Sequence, residues 1–237
     1  MNQHSVRILI AALFLGNGFS ETPKQESSEQ EAEWVSLFDG KTLKGWRGYN
    51  CAEMEGVWVV EDGTLHLAGQ AEGSPYVNII TEAVYDDFEL HFEWKVEEGT
   101  NSGVMFHVGE GPKQPYLTGP EYQVLDNDGF RNGKGFPVGD SEHSASHYGI
   151  EPATSDETKP IGEWNQGRIL VKGNHVEYWL NGVKTTEYEM HSPRWKEQIA
   201  NAKFSKWKDF ATLGKGHISL QDHGHRVWFR ELKIREL

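Results

Sequence analysis

From Asp87 to Glu97 apolar and polar side chains take turns: Phe88, Leu90, Phe92, Trp94 and Val96 alternate with Glu89, His91, Glu93 and Lys95. A period of two is the repeat of an extended strand with one face in a core and the other in water. Shorter alternations run through Gly103–Val108, Glu121–Leu125, Arg168–Lys172, His175–Leu180, Val183–Glu189, His217–Gln221 and Val227–Ile234. Weaker ones are Trp58–Val60, Thr64–Leu67 and Val77–Thr81. Between them stand Asp39-Gly40, Asp62-Gly63, Asp128-Gly129, Asn132-Gly133 and Asn181-Gly182, pairs that readily take the positive φ angles of tight hairpin turns.

About ten short strands joined by short turns predict an all-β fold, two antiparallel sheets packed face to face as a sandwich or jelly roll. The exception is Ser192 to Trp207. Ser192 is placed to cap a helix whose first position is Pro193, and Trp195, Ile199, Ala202 and Phe204 recur at near-helical spacing. One short helix inserted on the sandwich is expected there. No repeat of propeller or solenoid length is visible.

The N-terminus follows neither pattern. Residues Ile8 to Leu15 are uniformly apolar, follow Arg7 and precede Gly18-Phe19-Ser20, which reads as a signal peptide over residues 1–20 with cleavage after Ser20. The run is too short to span a bilayer, so no integral membrane segment is expected in the mature chain. Residues 21–33, ETPKQESSEQEAE, form an acidic leader too polar to bury apolar surface. The folded domain is then 34–237, in a secreted or periplasmic setting.

Composition narrows the partners. With 36 acidic against 23 basic side chains in 237 residues and a formal charge of -13, the chain repels phosphate backbones, and no nucleic acid is expected. Nine Trp, eight Tyr and eleven Phe supply aromatic faces. The single Cys51 forms no intramolecular disulfide and no thiolate zinc site by itself. Serine-hydrolase elbows, phosphate-binding loops, zincin helices and dinucleotide fingerprints are absent from the sequence.

Strand parity then says which polar groups share a surface. If these strands belong to one sheet, Glu93, His107, Glu121, Gln123 and Gln221 decorate one open face, with Asp126, Asp222 and His223 at its rim. Carboxylates, imidazoles and amides beside aromatic rings suit a sugar, whose hydroxyls pair with the polar groups and whose C–H faces lie on the rings. Each group also has a structural reading. Glu89, His91, Glu93 and Lys95 fit a solvated strand face; Asp222 fits an Asx turn around Gly224; Trp164-Asn165 fits a core tryptophan with a turn. His107, Glu121, Asp126, His143, His147, Asp222 and His223 offer ligands for a divalent metal, at spacings that identify none.

Taken together and in order, several segments resemble a known family: Phe38-Asp-Gly-Lys-Thr-Leu43 with Gly45-Trp46, Trp58-Val-Val-Glu-Asp-Gly-Thr-Leu65, Asp87-Phe-Glu-Leu90, Asn101-Ser-Gly103, Glu121-Tyr-Gln123, Gly162-Glu-Trp-Asn165, Leu180-Asn-Gly182 and Leu220-Gln-Asp-His-Gly224. The chain from Trp34 to Leu237 is similar to the bacterial DUF1080 domain, the 3-keto-disaccharide hydrolase or 3-keto-glucoside 1,2-lyase and 2-hydroxy-glucal hydratase family. That resemblance implies a concanavalin A-like jelly roll and an oxidised mono- or disaccharide substrate. Many members carry Arg at the place of His107 and an apolar residue at the place of His147.

Such an enzyme removes the C2 proton of a 3-keto-glycoside, eliminates the C1 aglycone and rehydrates the product. The candidates are His107 or His223 as base, Gln123, Tyr148 or a metal held through Glu121 and Asp126 for the enediolate, and Glu121 as acid. Glu93, Asn101, Trp164, Asn165, Gln221 and Asp222 are the expected sugar contacts. The alternatives are a non-catalytic lectin-like module and a conventional glycan hydrolase, which needs two carboxyls flanking the scissile bond.

Overall fold

Turn chemistry and strand parity shape the chain largely as its pattern predicts. The computed structural model describes Met1, residues 32–68 and residues 74–237; the signal segment from residue 2 and the leader up to Glu31 lie outside the described residues. Strands are β1 (Val35–Ser36), β2 (Trp46–Gly48), β3 (Trp58–Glu61), β4 (Thr64–Leu67), β5 (Ile79–Thr81), β6 (Phe88–Val96), β7 (Asn101–Val108), β8 (Glu121–Leu125), β9 (Asn165–Lys172), β10 (His175–Leu180), β11 (Val183–Glu189), β12 (His217–Leu220) and β13 (Val227–Glu236). β1 and β2, of two and three residues, are too short for an alternation to announce them.

Two antiparallel sheets result. One has eight strands in the order β11-β10-β9-β6-β13-β4-β3, with β1 added along β13; the other has five, β2-β5-β12-β7-β8. Their facing sides bury Phe88, Leu90, Phe92 and Trp94 from the first against Val104, Phe106, Tyr122, Ile218 and Leu220 from the second. This is the all-β sandwich that the alternation called for, and the packing of aromatic and branched side chains from both sheets is its main source of stability.

Two of the five dipeptides make the predicted hairpins. Asp62 and Gly63 take φ of 48° and 73° between β3 and β4, and Asn181 and Gly182 take 50° and 87° between β10 and β11. Asp128-Gly129 and Asn132-Gly133 instead lie in the long β8–β9 connection. Gly129 is needed there for close approach: a Cβ on it would lie 1.9 Å from Asp126 Oδ2.

The inserted helix α1 (Pro193–Asn201) starts as expected, with Ser192 Oγ accepting from Trp195 N at 3.2 Å. It stops earlier than Trp207; a short 3₁₀ turn, Lys203–Lys206, follows. Trp195, Phe204 and Phe210 anchor the segment in the core, and Trp207 is left half-buried at its edge.

One inner-face pair tests the packing. Gly167 stands opposite Phe92, and a Cβ on Gly167 would lie 2.4 Å from the Phe92 ring. Gly167→Ala should therefore destabilise the fold by about 1–3 kcal/mol through overpacking, read as a lowered urea midpoint. An unchanged midpoint would show that the ring has room to move.

Candidate active site

The outer face of the five-stranded sheet is a grid whose rows follow from register. Ser219 of β12 pairs with Ile80 of β5 and Met105 of β7, and Met105 pairs with Glu121 of β8. One step along the strands, Gln221 N donates to Gly103 O at 2.9 Å, and Gly103 pairs with Gln123. Asn101 lies one step further on the same face. Parity thus places Glu121, Gln123 and Gln221 together as the sequence predicts. Met105 faces outward too, but is fully buried with Tyr49, Ile80 and Val108 in an apolar patch that closes that part of the face.

Glycine at 103 makes the open part a depression. A Cβ there would fall 2.0 Å from Glu121 Oε1, so the Glu121 side chain lies over the bare Gly103 backbone. Around it, Gln123 Nε2 donates to Asn101 Oδ1 at 3.4 Å. Glu121, Gln123 and Gln221 each keep a buried side-chain oxygen, Oε1, with no protein partner. Buried acceptors without partners are rare because each loses its hydration. Here they converge where a polar ligand would satisfy them.

Loops and the insertion build the walls. Asn101, Tyr116, Glu121, Tyr148, Lys203, Phe204, Trp207, Gln221 and His223 enclose a cleft of about 250 Å³. Tyr116 and Trp207 pack with ring centroids 5.3 Å apart, and Phe204 meets Trp207 edge-on at 4.9 Å. Across the cleft, His223 lies against exposed Tyr76 at 5.3 Å and stacks on His225 at 5.6 Å, while Phe130 meets both imidazoles edge-on. Sequence reading missed Tyr116, Lys203, Phe204 and Trp207 as cleft residues. For Phe204 and Trp207 the signal was the aromatic density of Phe204 to Phe210, which helical spacing absorbed into the core.

Environment shifts Glu121 and His223 in opposite directions. Burial pushes the Glu121 carboxyl up to about 8, against the Lys203 ammonium and a Gln221 hydrogen bond that pull it down, with Glu142 adding to the rise. Burial, then the neighbouring His225, holds His223 below its ordinary value, and His223 Nδ1 has no partner. At neutral pH the cleft therefore contains a protonated carboxylic acid and an uncharged imidazole.

Several predicted site residues lie elsewhere. β6 belongs to the eight-stranded sheet, so Glu93 points away from the cleft and pairs with Arg230 at 2.7 Å. Trp164 is on that same remote surface, with the Arg230 guanidinium 4.0 Å from its ring centroid; it is neither a cleft nor a core tryptophan. Asn165 is buried and structural, its Oδ1 accepting from Lys159 N and Asn181 Nδ2, both at 2.8 Å. His107 is diverted by a bulge: β7 and β12 shift register there, its φ is 50°, and its ring packs on Phe88 and Phe106 with Nε2 2.8 Å from Asp86 O. Strand parity cannot survive an extra residue.

Asp126 and Asp222 are turn-builders. Asp126 accepts from Gly99 N and Gly129 N at 2.7 and 2.9 Å. Asp222 accepts from Val77 N and Gly224 N, both at 2.7 Å, closing the Asx turn that presents His223. Asp126 is so engaged beyond the end of β8, at the other end of that strand from Glu121. Among the described residues, the His and carboxylate group close enough to share a cation is His175, Glu177 and Glu187. It lies on the β10–β11 hairpin, where Lys184 Nζ already sits 3.2 Å from Glu177 and 2.5 Å from Glu187. His147 is enclosed, stacked on Tyr188 at 3.9 Å and held neutral by burial, which brings it down to about 3.

A 3-keto-disaccharide hydrolase of Bacteroides thetaiotaomicron is 34% identical over 228 residues, covering 86% of this chain and 78% of the relative. A solved structure from Parabacteroides distasonis, provisionally assigned as a glycosyl hydrolase, is 33% identical, covers 86% of this chain and 94% of that one, and superposes with a TM-score of 0.78. A Bacillus subtilis protein with a galectin-like fold shares only the architecture, at 11% identity over 86% of this chain and 94% of that one, with a TM-score of 0.51. Residues 33–235 match the family described as the 3-keto-alpha-glucoside-1,2-lyase-like domain, and the chain belongs to that family.

Proposed function

We propose that this chain is a secreted enzyme that cleaves 3-keto-glycosides by elimination and rehydration. The observation that carries the reading is the pairing, in one cleft, of a protonated Glu121 with a neutral His223. Two titratable groups driven apart by their surroundings divide acid and base roles between them. The family match and the 34%-identical 3-keto-disaccharide hydrolase support the substrate class. Among the described cleft residues Glu121 is the only carboxylic acid, which disfavours a conventional two-carboxylate glycosidase.

A ketone at C3 acidifies the C2 proton because the resulting carbanion delocalises onto the C3 oxygen. His223 takes that proton on Nδ1. The electron pair passes to the C3 oxygen, where the Tyr148 hydroxyl, kept protonated by burial, and the Gln123 amide serve as donors. As the enediolate collapses, the C1–O bond breaks and Glu121 protonates the departing oxygen, leaving a 2-hydroxy-3-keto-glucal. Water then adds at C1 and gives a proton to the Glu121 carboxylate, while His223 returns its proton to C2. Both groups are restored and the net reaction is hydrolysis. Gln221 and Asn101 hold sugar hydroxyls, and Trp207 with Tyr116 offers an apolar face to the ring or aglycone.

Incubation with 3-keto-glucosides should release the aglycone and give transient ultraviolet absorbance from the enol, whereas a lectin-like module would leave the substrate intact. His223→Ala should lower kcat by about a hundredfold or more. Full activity in both His223→Ala and Glu121→Gln would sink the assignment.

The pH profile of kcat/KM should be a bell. Its alkaline limb falls near 8, where Glu121 ionises, and its acid limb lies below the ordinary histidine value, where His223 gains a proton. Glu121→Gln should remove the alkaline limb along with most activity.

Burial of Glu121 also links stability to pH. Its folded value is raised, so its contribution is fully present below the ordinary carboxyl value of 4.5 and is lost as pH rises toward about 8. Glu121→Gln should raise Tm relative to wild type at pH 8 and show no such gain at pH 4; equal differences at both would contradict a buried neutral acid.

A further inference from the structure

The mechanism above leaves one group in the cleft without a task. Lys203 projects from the 3₁₀ turn after α1, with Nζ 4.0 Å from the centroid of the Tyr148 ring and 5.5 Å from that of Phe204. Glu142 Oε1 stands 4.0 Å away. Glu121 is close enough to interact with it electrostatically. The Lys203 side chain is itself 43% exposed but lies on these rings, whereas that of Lys208 is 91% exposed.

Charge sets Lys203 apart from the other groups facing the cleft. Tyr116 and Tyr148 stay neutral because burial raises both phenols, Glu121 is protonated, and His223 is uncharged. Glu142 pairs with Lys203 but does not line the cleft. Among the described lining residues Lys203 therefore brings the only full charge, a positive one, in a chain whose net charge is -13. A cation held on an aromatic face at the rim of the cleft is preorganised to meet a negative charge.

We propose that Lys203 is a further catalytic residue whose ammonium stabilises the negative charge that develops on the C3 oxygen as C2 loses its proton. This role rests on the 3-keto reading. No covalent bond forms to Lys203 and it keeps its proton throughout; the C2 proton passes to His223 and the electron pair to the C3 oxygen.

The test compares Lys203→Gln, Lys203→Arg and Lys206→Gln on a 3-keto-glucoside, with kcat, KM and pH profile measured for each and folding checked by thermal melting. Lys203→Gln should lower kcat about a hundredfold with little change in KM, and Lys203→Arg should recover most of it. Lys206→Gln should match wild type. The residual activity of Lys203→Gln should show its alkaline limb at higher pH than wild type, because the cation that favoured ionised Glu121 is gone.

Full kcat in Lys203→Gln, or a loss confined to KM, overturns the proposal. If Lys203→Gln fails to fold, the Lys203→Arg variant decides, since arginine keeps the charge: an inactive but folded Arg variant overturns it, an active one supports it. A wild-type protein inert toward 3-keto-glucosides overturns the 3-keto reading and this role with it, whereas an active wild type beside an equally active Lys203→Gln overturns the lysine role alone.

Discussion

The site depends on one close approach: the carboxyl of Glu121 laid over the backbone of Gly103. The β7–β8 register sets the two side by side, and the missing side chain lets the acid lie flat against the sheet rather than extend into water. Everything distinctive follows from that burial. The carboxyl keeps its proton, its Oε1 and those of Gln123 and Gln221 stay unpartnered, and a polar ligand has acceptors waiting for it. A fold that buries such a group loses stability as pH rises and the group ionises, and the aromatic core between the sheets offsets the loss.

The eight-stranded sheet shows the opposite treatment of the same residue type. Glu89 is also buried, yet it accepts from Arg168 and Arg235 and lies 2.9 Å from His91, and these partners hold it down to about 2 despite its desolvation. Glu93 pairs with Arg230. Carboxylates on that surface are ionised and occupied, so they stiffen the sheet; the carboxyl in the cleft is protonated and open. Partner supply, not burial alone, separates an ionised acid from a protonated one.

The inserted segment joins stability to chemistry. Trp195, Phe204 and Phe210 bury it in the core, and that anchoring fixes Lys203 and Trp207 at the cleft wall. A short helix of nine residues with a side-chain cap is marginal alone, so the wall is only as firm as these aromatic contacts.

Local pattern alone determined the strands with clear alternation, the Asp62-Gly63 and Asn181-Gly182 hairpins, the Ser192 cap and the outward parity of Glu121, Gln123 and Gln221, because each depends on residues close together in the chain. Resemblance, carried by the order of many short motifs, supplied the family. Pairing between distant strands decided the rest. Parity says that Glu93 and Glu121 are both outward, but only the sheet order reveals that outward means opposite sides of the sandwich for β6 and β8. A one-residue bulge turned His107 into the packing around Phe88 and Phe106, and no local pattern marks a bulge whose cause is a mismatch with β12. Likewise Gly103 reads as an ordinary strand glycine until Glu121 arrives beside it from the neighbouring strand, since a carboxyl's protonation is set by neighbours that only the folded chain assembles.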